Sequence, residues 1–471
     1  MAAQTPLVSR SRWIIASLSA SVLLSSLGTS IANVALPRFT EVFGASFQQV
    51  QWIVLAYLMA ITTLIVTVGR FGDIFGRRRL LLAGIMVFTV SSGLCGLAPS
   101  LPMLIAARAL QGTGAAVMLA LTMTFVADTV PKDRVGSAMG VLGTMSAIGT
   151  ALGPSLGGVL IAGFDWRAIF FVNLPLGALS LFFAHRYLPA DLPKSASDRV
   201  RIDFVGMLLL GLSLGLYALA MTQGHGSFGA ANWALLSGSA LGVAIFIAAE
   251  LKTTAPLIRM SLFANPVLSA GFAMSGLVSA VVMSTLIVGP FYLSRGLGLD
   301  AAVVGAILSI GPIIAALTGI PAGRSVDRFG AGWMTIAGLV AVAGGAVALS
   351  QIPMSFGVLG YIGPIAVVTA GYALFQAANN TSVMADLPTD QRGVVSGMLN
   401  LSRNLGLVTG AAVLGSVFAR ASATADMTTA APQAIANGMH ATFAAAAGLA
   451  SFALVLAVKG ATLHSTSQAN L

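Results

Sequence analysis

Charge is the first thing this chain lacks. Of 471 residues, 24 are Lys or Arg and 14 are Asp or Glu, so 8% are charged while 57% are hydrophobic; an average soluble domain carries roughly 25% charged residues. So few charges cannot coat a water-soluble globule of 47.8 kDa, and the mean hydropathy of +0.93 fits long apolar helices solvated by lipid. Cysteine is nearly absent. Cys95 stands alone in an apolar run, which excludes an intrachain disulfide, a cysteine zinc site and redox chemistry as the main activity. Long polar loops are missing as well: the longest have about twenty residues, too few to fold as an extramembrane domain. A receptor or assembly subunit that moves no solute, the reading from a different class, ordinarily carries such a domain.

What is present is a series of apolar stretches of about 17 to 25 residues, each able to cross ~30 Å of hydrocarbon as a helix. They recur near 13–36, 50–69, 80–98, 102–126, 137–160, 168–184, 204–222, 233–249, 268–292, 303–322, 333–351, 358–384, 393–418 and 441–458, fourteen in all. An even number puts both termini on one side. The loops of that side hold eighteen of the 24 basic residues and the opposite loops four, Arg38, Arg167, Arg295 and Arg420, with Arg108 and Arg403 inside spans. By the positive-inside rule the termini are cytoplasmic, in a multi-pass protein of the plasma (inner) membrane. The net charge of +10 is therefore a topology signal, and no basic folded face for nucleic acid is available. Arg10 and Arg12 before an apolar run also describe a signal peptide, but this run continues to Leu36, beyond an h-region of about 7 to 15 residues. It reads as an uncleaved first helix.

Loop chemistry repeats at a fixed offset. Gly69, Asp73 and Gly76, followed by Arg77, Arg78 and Arg79, are echoed 254 residues later by Gly323, Asp327 and Gly330. Ala127, Asp128, Pro131 and Arg134 after the fourth span match Ala385, Asp386, Pro388 and Arg392 after the twelfth, at offsets of 257 to 258. Two related halves are implied. Six helices at about 30 residues each would repeat near 180, so the longer offset leaves room for two extra helices between the halves. This predicts a six-helix bundle over 1–188, a loop with two extra helices over 189–260 and a second six-helix bundle over 261–471. Parallel halves of this kind form transporters that bind substrate near the midplane between them.

The residues resemble the major facilitator superfamily, specifically its fourteen-helix drug/proton antiporter branch. The resemblance rests on Asn33 to Pro37, Gln51-Trp52 and Tyr57, the loop Gly69 to Arg79, Arg108 to Gly114, and Gly140, Gly149, Gly153-Pro154 and Gly157-Gly158. It continues through Trp166-Arg167, Asn173 to Gly177, Phe375 to Asn380 and Arg403 to Gly406. It implies an all-α membrane protein of the major facilitator fold with no enzymatic activity. The implied function is proton-driven export of small amphipathic organic compounds, of the kind that underlies antibiotic resistance, by alternating access. Its partners are then a small-molecule substrate, protons and the lipid bilayer, with no cofactor, metal, nucleic acid or obligate protein partner. A dedicated transporter of one neutral or acidic metabolite is the alternative. Gly112-Thr113-Gly114 is no dinucleotide loop, because no strand precedes it and no Walker lysine follows any glycine run.

Each motif has a physical use. The glycines of Gly69 to Gly76 permit a tight turn between helices, and Asp73 can accept hydrogen bonds at the N-terminus of an adjacent helix. Such a contact is made in one state and broken in the other. Gly69, Asp73, Gly76, Arg77 and Arg78, with Gly323, Asp327 and Gly330, are therefore latch candidates, and the resemblance implies that they hold the outward-facing state. The plainer reading is that the arginines bind anionic lipid. In the fifth span Gly149, Gly153 and Gly157 share a face where another helix can approach closely, and Pro154 removes a backbone donor; with Gly158 they make a pivot, or simply a packing surface.

Arg108 and Arg403 are the sharpest signals, because a guanidinium in hydrocarbon needs a polar cavity or a partner. Arg108 and Gln111 share a face, as do Ser26, Ser30 and Asn33 on the first helix and Gln376, Asn379 and Asn380 on the twelfth. Together they can line one polar cleft; alternatively the amides and hydroxyls only tie helices together. At one position the chain departs from the family. Where the pattern has aspartate ahead of Asn33 to Pro37, this sequence has Gly28, and no acid falls at mid-membrane. Two arginines without a carboxylate bias the cleft towards neutral or acidic substrates. A proton then needs Asp128, His440 or the substrate itself as its carrier, while His185, His225 and His464 read as loop or interface residues. Tyr57, Tyr292, Tyr372, Phe375, Met118 and Met283 either contact a ligand or pack between helices.

Overall fold

The computed structural model describes residues 5–129, 135–191, 203–223, 229–253, 256–258, 260–385, 392–422 and 430–469, and among them there is no β-strand. The helices are α1 (Thr5–Val34), α2 (Leu36–Phe43), α3 (Phe47–Phe75), α4 (Arg77–Leu97), α5 (Leu101–Thr129), α6 (Val135–Gly163), α7 (Ala168–Phe171), α8 (Asn173–Tyr187) and α9 (Phe204–Thr222). They continue as α10 (Ala230–Lys252), α11 (Pro266–Phe291), α12 (Ala301–Phe329), α13 (Ala331–Gln351), α14 (Gly357–Met384), α15 (Arg392–Thr409), α16 (Gly415–Ala421) and α17 (Pro432–Ala469). π-turns at Tyr292–Gly296 and Gly410–Leu414 extend α11 and join α15 to α16. Among the described residues, thirteen helical segments are long and apolar enough to cross a bilayer, and α6 holds a shorter apolar stretch, Ile148–Gly163. At 1.5 Å per residue the 21 residues of α4 reach ~31 Å, one hydrocarbon thickness.

Local chemistry sets the boundaries. Ser46 and Gln49 form a reciprocal capping box that starts α3. Asn265 accepts the Val267 and Leu268 N–H groups at 2.9 and 3.3 Å ahead of Pro266, which starts α11. The last glycine of each repeated loop motif makes the same turn: Gly76 between α3 and α4 has φ 92°, and Gly330 between α12 and α13 has φ 85°. A side chain is disfavoured at both.

Packing repeats as the loops do. In the first half α1 lies against α6 and α8, α5 against α3 and α4, and α4 against α8. In the second half α11 lies against α15 and α17, α14 against α12 and α13, and α13 against α17. The two halves meet along α6 with α12 and α3 with α15. Helices α9 and α10 bury only 28% and 17% of their spans, against 72% for α1 and 67% for α11, so the extra pair sits at the periphery. Helix α9 lies over a seam between the halves: Trp52 Nε1 of α3 donates to Thr222 Oγ1 at 3.1 Å, and Ser416 of α16 donates to the Met221 carbonyl. Tyr217 and Thr409 share a further hydrogen bond across this junction.

Candidate transport pathway and its gates

Helix α1 starts at what is called here the basal face and runs to the distal face. Contacts that close the seam lie at the distal ends of the helices. Phe47, Phe291 and Phe418 meet with ring centroids 5.0 to 6.0 Å apart, and Glu41 of the short helix α2 pairs with Arg295 in the first π-turn. Gln51 of α3 donates to the Ala411 carbonyl in the second π-turn and lies against Gly415. A π-turn frees a carbonyl from the regular ladder, and here that group serves the partner bundle. Backbones touch where α6 meets α12: a Cβ on Gly158 would fall 2.4 Å from the Ala301 oxygen, and one on Gly305 2.3 Å from the Pro154 oxygen. At the basal end of α12, by contrast, Asp327 is exposed, and Cβ atoms added at Gly319, Gly323 and Gly330 would meet nothing within 4 Å.

Arg108 is placed differently from a cleft-lining residue: it is completely enclosed by α1, α3, α4 and α5. Its Nε donates to the Ile53 carbonyl at 3.1 Å, and its Nη1 donates to the Gly28 carbonyl at 3.0 Å and to Gln111 Oε1 at 2.5 Å. The Tyr57 ring covers the guanidinium at 4.0 Å. Gln111 passes the network on to Ser92 Oγ at 2.6 Å. Carbonyl dipoles and a π-face thus hold a charge that a carboxylate would normally neutralise, and Nη2 has no partner. Gly28 belongs to the same centre: a Cβ there would lie 2.7 Å from the Phe88 ring and 3.3 Å from Tyr57 Oη. The phenyl ring fills the space an acidic side chain would need.

The structure does not bring the other polar candidates to Arg108. Ser30 bonds to the Ser26 and Leu27 carbonyls at 3.2 and 3.3 Å and to the Gly149 carbonyl at 3.4 Å, tying α1 to α6. Asn33 Nδ2 donates to the Thr29 carbonyl at 3.3 Å. In the second half Asn379 is buried and donates to the Gly271 carbonyl at 3.2 Å, Gln376 is half-buried and Asn380 exposed. Arg403 is half-buried. It lies about 200° around α15 from the buried Leu401 but one turn from Leu399, at the border of the cluster that α15 forms with α9, α10 and α11. Tyr292 stacks on Tyr361 at 5.9 Å, and His440 bonds to the Ile352 carbonyl at 2.9 Å.

The glycines of α6 divide between two neighbours. Gly149, Gly153 and Gly157 face Leu23, Ser30 and Val34 of α1, while Gly158 and the Pro154 carbonyl face α12. One helix therefore lies in close contact with its own bundle and with the other. In the loop after α3, the side chain of Asp73 lies outside the described residues, as do the side chain of Asp128 and all of Asp386. The N-terminus of α4 is taken by Asp191, whose Oδ1 and Oδ2 accept the Arg78 and Arg79 N–H groups at 2.8 and 3.2 Å. Arg78 donates to the His185 carbonyl at 2.5 Å, so it binds protein at the C-terminal end of α8, where a cation is favoured. Asp191→Ala is expected to cost about 0.5–2 kcal/mol, read as a lowered melting temperature that Asp191→Asn restores only in part, since the amide has one accepting oxygen for two N–H groups. Glu41 and Asp191 escape a reading of the sequence, and Gln51, which stands with Trp52 among the family motifs, gives no sign there of its partner in the second π-turn.

Two bundles of equivalent pairing, held together at the distal ends of their helices and carrying an enclosed guanidinium, define a membrane carrier. Residues 18–411 match the family model of the Major Facilitator Superfamily, and the chain belongs to that family of transporters. It is 29% identical over 87% of its length to the riboflavin transporter RibZ of Clostridioides difficile, covering 89% of that protein. It is 31% identical over 83% of its length to the multidrug resistance protein Stp of Mycobacterium tuberculosis, covering 73% of that chain. Among solved structures it matches a bacterial homologue of the human lysosomal transporter Spinster in its inward-facing, occupied conformation. The TM-score is 0.70 at 15% identity, over 96% of this chain and 97% of that one.

Proposed function

We propose that this carrier exports small amphipathic organic compounds that are neutral or acidic, driven by the proton-motive force across the plasma (inner) membrane. The termini and basal face are cytoplasmic in this reading, following the basic residues of the basal loops. The bundles 1–188 and 261–471 rock as units, and the distal contacts mark the state closed to the outside. Relatives named for multidrug resistance and for riboflavin support organic solutes; a dedicated carrier of one neutral or acidic metabolite is the second reading, favoured by the likeness to RibZ. Arg108 with Gln111, Ser30 and Asn33, and Arg403 with Gln376, Asn379 and Asn380, are the proposed pathway residues. Arg108 acts from inside its bundle, on the helices whose carbonyls it holds.

The observation that carries the charge preference is Gly28. With Phe88 occupying the space of the acid, the embedded charge beside this position is the guanidinium of Arg108, and it repels cations. Flux in proteoliposomes under an imposed pH gradient, screened over cationic, neutral and anionic dyes, should show neutral and anionic solutes moving at least about tenfold faster than permanent cations, as ~1.4 kcal/mol of discrimination predicts. Robust flux of permanent cations, undiminished in Arg108→Ala or Arg403→Ala, contradicts the reading.

A further inference from the structure

Asp203 and Glu250 lie at the basal ends of the two extra helices. Asp203 caps α9, its Oδ1 accepting the Gly206 N–H at 2.7 Å, and Glu250 near the end of α10 accepts the Ile258 N–H through Oε2 at 2.9 Å. Both are buried, 8% and 3% exposed, and the two carboxyls are within hydrogen-bonding reach of each other. The remaining oxygens, Asp203 Oδ2 and Glu250 Oε1, converge beside Gly206, where each would lie 2.6 Å from an added Cβ. Neither of them has a donor.

Two buried carboxylates facing each other at this range do not both stay ionised, because desolvation and like-charge repulsion act together. One proton removes both penalties. It turns one carboxyl into the donor that the other oxygen lacks. We propose that Asp203 and Glu250 form a proton-binding site that holds one proton between Oδ2 and Oε1, taken from and returned to water at the basal face, and so clips the α9–α10 hairpin to the segment leading into α11. Among the described residues of α9, α10, 256–258 and the 3₁₀ turn Met260–Ala264, the remaining charged side chain is Lys252, which is exposed; on α3, whose Phe71 packs on Phe204, the side chains of Arg70 and Asp73 lie outside the described residues. Arg201 and Arg259, neighbours in sequence, lie outside the described residues. Because α9 also lies over the seam between the bundles, the proton fixes the basal end of a strap whose distal end is tied by Trp52 and Ser416.

Infrared spectroscopy of the full-length protein in proteoliposomes tests this directly. Wild type should show the carbonyl stretch of a protonated buried carboxylic acid at neutral pH, lost on alkaline titration. The band should be missing from Glu250→Gln and from Asp203→Asn, each of which supplies an amide N–H in place of the proton and so keeps the fold. Unfolding in detergent gives the second readout. Above the ordinary carboxyl range, about pH 4, the native state keeps a proton that the unfolded chain has released. The wild-type unfolding constant therefore rises roughly tenfold per pH unit until the site itself titrates, and Glu250→Gln flattens that slope. Absence of the band in wild type, its persistence in both variants, or superimposable pH profiles overturns the proposal. So does stabilisation of wild type by Na⁺ or K⁺ at fixed pH that Glu250→Gln abolishes, since a metal cation then occupies the place assigned to the proton.

Discussion

Arg108→Ala is expected to reduce transport by about two orders of magnitude or more, and Arg108→Lys to leave it nearly as low. The guanidinium ties three helices together, α1 through the Gly28 carbonyl, α3 through the Ile53 carbonyl and Tyr57, and its own α5 through Gln111. Deleting it leaves these acceptors without their charged donor, at about 1.5–3 kcal/mol for each hydrogen bond to a charged group, so two such bonds amount to about two decades or more in an equilibrium. Lysine offers a compact point charge with no planar fork, so it cannot reach both carbonyls and lie flat on the Tyr57 ring. Gln111→Ala, which breaks only the link from Arg108 to Ser92, should cost about 1 kcal/mol, or roughly fivefold. Counterflow in proteoliposomes, normalised to folded protein by gel filtration, separates loss of function from loss of fold. A well-folded Arg108→Lys carrier with wild-type flux contradicts the role assigned to the fork.

The second large effect is expected where α6 meets α12. A methyl group on Gly305 would lie 2.3 Å from the Pro154 oxygen, and one on Gly158 2.4 Å from the Ala301 oxygen. Backbone atoms cannot swing aside as side chains do, so either substitution pushes the distal ends of the bundles apart. Overpacking of this kind costs about 1–3 kcal/mol, and it falls on the distally closed state alone. The equilibrium should shift by about 5- to 150-fold towards the distally open state. In a Cys95→Ser background, a cysteine at the buried Ala411 should react faster with an impermeant thiol reagent from the distal side once Gly305→Ala is added. Unchanged labelling would show that this crossing is not a moving joint.

Much of the fold is legible in the sequence because lipid leaves a chain few choices. An apolar run of about twenty residues has to satisfy its backbone internally, as a helix, and the stretch read as 204–222 is α9 (Phe204–Thr222) with the same limits. The repeated loop motif is equally plain, and its physical reason is the positive φ shared by Gly76 and Gly330. Rotation of one helix against another is not written in composition. The spacing of Arg108 and Gln111 places them on one face of α5, but which neighbours that face meets depends on how α1, α3 and α4 are turned. The answer was an enclosed network. The π-turns are invisible for a related reason: one residue more or less in a helical turn leaves the apolar pattern intact. Asp191 on α4 and Gln51 on the second π-turn join positions 113 and 360 residues apart, distances over which one sequence offers no register. Gly28 is legible as a missing acid, whereas the Phe88 ring that excludes it is not.

Alternating access between two rocking bundles is most directly tested by paired spin-label distances in proteoliposomes. One pair would sit at the exposed distal positions Gln49 and Asp300 and the other at the exposed basal positions Arg79 and Arg328. Imposing a pH gradient and adding a transported solute should lengthen the distal distance while the basal distance shortens, each pair showing two discrete populations. Distances that stay fixed, or that lengthen and shorten together, contradict a carrier that opens to one side at a time.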